Sequence, residues 1–157
     1  MKRFFARQFI AFMERTARWS PAARARLGRG IGNLLWTLAA PRRRVTLTNL
    51  RLCFPQLTEA ERITLGRRTF HHIARALVDH GLLATVRRED FDRHVRVDGA
   101  QHLTDPANRP LILVAPHFVG LDAGGLAVNT LVRGVSIYAR SRNPEWDRWL
   151  LDIRNKF

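Results

Sequence analysis

The chain has 157 residues, 46% of them hydrophobic and 25% charged, and carries a formal net charge of +14 from 27 Lys and Arg against 13 Asp and Glu. It contains no uninterrupted run of about 20 apolar residues that could span a bilayer. A single cysteine, Cys53, excludes an internal disulfide and a multi-cysteine zinc site, and reads as a buried structural residue.

The charge is concentrated at the front: residues 1–50 hold 11 of the 27 Lys and Arg and only one of the acids, Glu14. A basic leading segment implies an anionic partner, which can be membrane lipid, nucleic acid or an acidic protein. At helical spacing Phe5, Phe9, Phe12 and Met13 share one face, with Arg3, Arg7 and Arg18 on the other. Residues 1–19 are therefore expected to form an amphipathic membrane-associating helix, the competing reading being a surface helix packed on its own domain. Arg7, Glu14 and Arg15 interrupt the apolar core that a signal peptide needs, which points to a cytosolic, membrane-associated protein. Zinc-ligand spacings and the aromatic signature of a single-strand binder are both missing, so nucleic acid is not an expected partner.

Residues 20–157 are read as one domain. Ser20-Pro21 is an N-cap followed by proline at the first helical position, predicting a helix to about Ala39 that Pro41 terminates. Arg42-Arg43-Arg44 leads into Val45 to Cys53, and Phe54-Pro55 marks the next boundary. Thr58-x-x-Glu61 is a capping box, and Ile63, Leu65, Phe70, Ile73, Ala74, Leu77 and Val78 supply the apolar stripe of the helix after it, on which His71 and His72 are surface residues. Val95 to Val97, Leu111 to Ala115 and Val135 to Ala139 read as strands, and Trp146, Trp149, Leu150 and Ile153 give a last helix its apolar side. Strands alternating with helices predict an α/β fold: a helical N-terminal region, then a partial, mostly parallel sheet with flanking helices.

The chemistry centres on the end of the second predicted strand. The apolar run Leu111 to Ala115 is closed by Pro116 and delivers His117; Gly120, Gly124 and Gly125 suit a tight turn into a closely packed helix that carries Asp122. That junction is where α/β folds place active sites. On one continuous helix, residues five apart point about 140° away from each other, so His117 has to sit on the junction itself. None of the other five histidines (His71, His72, His80, His94, His102) has an acid at the same offset. A histidine oriented by a carboxylate is a general base near neutral pH. Without a serine or cysteine nucleophile beside it, the base is expected to activate a hydroxyl on the substrate, the competing reading being a hydrogen-bonded structural histidine.

Several segments together resemble the late acyltransferases of lipid A biosynthesis, the lauroyl/myristoyl enzyme family: Arg42-Arg43-Arg44 with Asn49-Leu50 and Cys53-Phe54-Pro55, the helix start from Thr58 to Arg62, Pro116-His117-Phe118-x-Gly120-x-Asp122, and Tyr138 to Phe157. The resemblance runs from about residue 5 to the end. It implies a bacterial inner-membrane enzyme at the cytoplasmic face that moves a fatty acyl chain from acyl carrier protein to a hydroxyl of a lipid A precursor. It also implies His117 and Asp122 as the family's histidine-acid pair, with no metal and no bound cofactor. Arg154 matches a functional arginine of the family and is expected to serve the developing oxyanion or the lipid phosphates, with Arg140, Arg142 and Asn143 as further candidates. Family members are nearly twice as long and their pattern continues past Phe157, so the chain is expected to be the N-terminal portion of an incomplete acyltransferase fold. Two other functions fit the same sequence: acylation of another glycolipid such as a phosphatidylinositol mannoside, and non-catalytic binding of membrane or nucleic acid through residues 1–50.

Overall fold

The computed structural model describes residues 2–157; Met1, the first residue of the expected N-terminal segment, lies outside them. Helix α1 covers Lys2–Thr16, α2 Pro21–Leu38, α3 Ala40–Cys53 and α4 Glu59–Thr85; the short α5 Arg88–Phe91 and α6 Gln101–Thr104 follow, then α7 Leu121–Leu131 and α8 Pro144–Arg154. The long helices begin where their caps put them. Ser20 accepts from the Ala23 amide with Pro21 in the first turn. Thr58 and Glu61 form both halves of the capping box, the Thr58 amide donating to Glu61 Oε2 at 2.7 Å. Pro41 also marks a boundary, but it sits in the first turn of α3 rather than in a linker, and α3 continues without a break to Cys53.

α2 and α4 pack antiparallel. An added Cβ at Gly28 would meet Arg75 Cα at 2.8 Å and one at Gly32 would meet His71 Cα at 2.8 Å, so two glycines four residues apart let the backbones approach closely. Further along the same crossing, Trp36 lies over Gly66 and packs edge-on against Phe70, ring centroids 5.2 Å apart. The other end of α4 meets α1: a side chain at Gly81 would collide with the Met13 carbonyl. Met13, Leu83, Val86, Phe91, Leu126, Ala127, Trp149 and Ile153 form the main core, joining α1, the end of α4, α7 and α8. Arg24 is buried between α2 and α4, where its charge is matched by Asp79 at 2.9 Å and its Nη1 donates to the carbonyls of Ala17 and Trp19.

The predicted α/β architecture is overturned. No strand, and therefore no parallel sheet, occurs among the described residues. Residues 95–97, 111–115 and 135–139 run as irregular backbone, and the apolar side chains of the last two stand in the open: Ile112 is 88% exposed, Val114 85%, Val135 101% and Ile137 103%. Alternation and β-branching favour an extended backbone, but a strand exists only where its N–H and C=O groups meet a second one. None of these segments pairs with another, and Pro110 and Pro116, which lack N–H groups, flank the longest apolar run. Cys53, expected in the core, is exposed at the end of α3.

Candidate active site around Asp122

Asp122 is placed by a sharp reversal. The Phe118 amide donates to the Pro116 carbonyl at 2.8 Å and the Leu121 amide to the Phe118 carbonyl at 3.2 Å. Gly120 caps α7 with φ 90° and ψ 7°, a left-handed conformation in which a Cβ would be strained. Asp122 thus falls in the first turn of α7, where the exposed amides and helix dipole favour an anion.

Two other helices supply its partners. Arg154, at the end of α8, donates through Nε to Asp122 Oδ1 at 2.9 Å, and its guanidinium lies over the Tyr138 ring, 5.7 Å from the centroid. His80, on α4, places Nε2 2.9 Å from Asp122 Oδ2 and Nδ1 2.8 Å from the Ala76 carbonyl. Trp149 of α8 walls the histidine, with ring centroids 6.2 Å apart, and its indole N–H donates to Glu14 of α1 at 2.8 Å. The side chains of His80 and Asp122 are 18% and 20% exposed, which shields the pair from water while leaving one side open.

This environment sets the charges. The His80 hydrogen bond is the largest influence on Asp122; with the Arg154 bond and charge it overcomes burial and lowers the carboxyl to about 2. For His80 burial is the largest single influence and works downward. The bonds to Asp122 and Ala76 and the Asp122 charge outweigh it, so the imidazole titrates above its ordinary value.

Of the residues singled out from the sequence, the structure brings Asp122 and Arg154 together. His117 is exposed on the loop before α7 and makes no hydrogen bond or ion pair with the described residues. Arg140 and Arg142 are exposed ahead of α8 and are not partners of Asp122. Asn143 caps α8, its side-chain oxygen accepting from the Glu145 amide at 3.0 Å. In α1, Phe5 is 64% exposed, whereas Phe9 stacks on Trp146 with centroids 6.1 Å apart and Phe12 is only partly open. Met13, grouped with these aromatics in the sequence, turns inward and is fully buried. The residue missed is His80. Its signal was its place on the α4 stripe, three residues after Leu77 and next to the close approach at Gly81, where a polar ring facing other helices requires partners. Among the described residues no group of three or more His, Cys, Asp and Glu is gathered to hold a metal ion, and no helix is long and apolar enough to cross a membrane.

With the histidine and acid at this offset and an arginine from the far end of the chain closing on the acid, comparison with known proteins is decisive. The pattern describing the bacterial lipid A biosynthesis acyltransferases matches residues 3–157. The chain belongs to this family. It is 30% identical to a lipid A biosynthesis lauroyltransferase of Escherichia coli over 127 residues, covering 80% of this chain and 41% of that protein. It is 27% identical to a lipid A biosynthesis acyltransferase of Haemophilus influenzae, covering 79% of this chain and 40% of the relative. A lipid A biosynthesis palmitoleoyltransferase of Escherichia coli is likewise 27% identical, over 79% of this chain and 41% of its own length. The chain thus spans about two fifths of the length of the relatives it matches. No solved structure matches it.

Proposed function

We propose that the protein transfers a fatty acyl chain from the thioester of acyl carrier protein to a hydroxyl of a lipid A precursor, at the cytoplasmic face of the bacterial inner membrane. His117 takes the proton of the acceptor hydroxyl as its oxygen attacks the thioester carbonyl, then returns a proton to the departing thiolate. Asp122 orients the ring and stabilises the imidazolium formed in between, an arrangement that brings the exposed 117–119 loop back over the first turn of α7. Arg154 uses Nε on Asp122, which leaves its two terminal nitrogens to meet the oxyanion or a lipid phosphate. Arg140, Arg142 and Asn143 lie on the approach to α8 and serve the same anions from its rim. The acceptor oxygen is the nucleophile itself, so the transfer runs without a resident cofactor. Phe5, with Phe9 and Phe12 beside it, sets α1 into the lipid interface.

The observation that carries this reading is the Asp122 carboxylate: ionised, fixed by donors from two other helices, and five residues after a histidine in a chain of this family. The acyl groups named for the relatives, lauroyl and palmitoleoyl, support a fatty acyl donor. The test measures transfer from acyl carrier protein thioester to lipid A precursor by the detergent-solubilised chain, and by the Escherichia coli lauroyltransferase carrying residues 3–157 of this chain in place of its matching segment. Mass spectrometry of the product identifies the acceptor. Transfer by either protein that adds one acyl chain to the precursor is the expected result. Transfer to a different glycolipid, or none by either protein, contradicts the proposal.

A further inference from the structure

Both ring nitrogens of His80 face oxygen acceptors: Nδ1 lies 2.8 Å from the Ala76 carbonyl, one turn back on α4, and Nε2 lies 2.9 Å from Asp122 Oδ2. A carbonyl has no hydrogen to give, and a carboxylate that also accepts from Arg154 has none either, so each nitrogen needs its own. Neutral imidazole has one N–H and would turn a lone pair towards one of the two oxygens; the imidazolium satisfies both.

We propose that His80 is held as the imidazolium and is a positioning residue for Asp122, locking the carboxylate of α7 to α4 while Arg154 locks it to α8. This rests on the reading of Asp122 as the partner of the catalytic base. Each Asp122 oxygen receives one donor and keeps a second lone-pair direction, so the clamp leaves the carboxylate able to accept from His117. The other charges around His80 fit this state. On its own helix, Asp79 is already engaged by Arg24 of α2 and by Arg75, at 2.9 and 2.8 Å. From α7 comes Asp122, which favours the cation; from α8 comes Arg154, which opposes it and is itself held by Asp122. From α1, Glu14 is taken up by the Trp149 indole that walls the imidazole. When His80 loses its proton it can donate to only one of its two acceptors, and Asp122 then keeps Arg154 as its one secure partner. His80 thereby adds a falling alkaline limb to the pH profile of the reaction.

The test needs no catalytic activity, so its outcome is separate from that of the acyl-transfer reading. In the full chain labelled for NMR, the His80 ring nitrogens and the Asp122 carboxyl carbon are followed against pH. His80 should titrate above 6.5 and carry two protons below its midpoint, with that midpoint falling in Asp122→Asn. The Asp122 carboxyl, near 2 in the unaltered chain, should rise towards 3.8 in His80→Ala. It should stay low in His80→Gln, whose amide donates in place of Nε2 without titrating. A His80 midpoint at or below 6.5, or one that Asp122→Asn leaves in place, overturns the imidazolium. An Asp122 carboxyl indifferent to both His80 variants overturns the positioning role.

Discussion

Arg154 donates through Nε to Asp122 at 2.9 Å, joining the end of α8 to the start of α7 across 32 positions of sequence. The Tyr138 ring covers the same guanidinium, so its orientation is fixed from two sides. A lysine cannot reproduce this, because an ammonium offers neither the planar fork nor the stacking face. In the transfer assay Arg154→Ala should therefore lower kcat by about 100-fold, the cost of losing an oxyanion donor together with a carboxylate clamp. Arg154→Lys should recover less than a tenth of that loss, and full recovery by lysine would reduce the role of Arg154 to simple charge.

The Asp122 cluster gives stability a defined pH window. Asp122 titrates lower in the folded chain than its ordinary 3.8, so its contribution is complete above that value and is lost as pH falls towards about 2. His80 titrates higher than its ordinary 6.5, so its contribution is complete below that value and is lost as pH rises through the folded pKa. The difference in unfolding free energy between the unaltered chain and Asp122→Asn should be largest from about pH 4 to 6.5, at about 2 kcal/mol, and shrink on either side. Urea unfolding across pH measures it; a difference that does not vary with pH contradicts the coupling.

Close helix approach at Gly81 predicts an effect without any loss of contact. Gly81→Ala should destabilise the chain by about 1–3 kcal/mol, because the new methyl must push α1 away from α4 against the Met13 backbone. Gly30, which has open space around it, serves as the control: Gly30→Ala should stabilise α2 slightly through helix propensity. Equal effects at the two sites in thermal unfolding would contradict the packing described for α1 and α4.

The aromatics of α1 divide into two roles. Phe5 is exposed, whereas Phe9 stacks on Trp146. Phe5→Ser should weaken flotation with anionic vesicles and leave the unfolding midpoint unchanged; Phe9→Ser should lower that midpoint as well. High salt should release the unaltered chain only in part, since apolar burial is not screened as charge is. Complete release by salt would mean that no aromatic enters the lipid.

Local chemistry was readable where it is self-contained. Ser20-Pro21 and the Thr58 and Glu61 capping box locate two helix starts because each cap bonds within three residues of itself. The strands expected from the sequence do not form, because β-structure is a property of pairs and Leu111 to Ala115 carries apolar character but no record of a neighbour. The site divides in the same way. Asp122 and Arg154 are named by motif and resemblance, whereas His80 lies 42 positions from Asp122, and only helix packing brings it there. Met13 shows how a helical projection fails: the face it shares with Phe9 and Phe12 is split between the core and the surface by the position of α4.

Removing His117 tests its proposed role as the base of an acyl transfer. Steady-state transfer from acyl carrier protein thioester to lipid A precursor is compared for His117→Ala and the unaltered sequence, both carried in the lauroyltransferase framework and matched for folding by circular dichroism. His117→Ala should lower kcat by about 10²–10⁴-fold with little change in KM, the signature of a general base removed. A loss of less than about threefold would contradict it and leave Asp122 as a structural anchor for His80 and Arg154 alone.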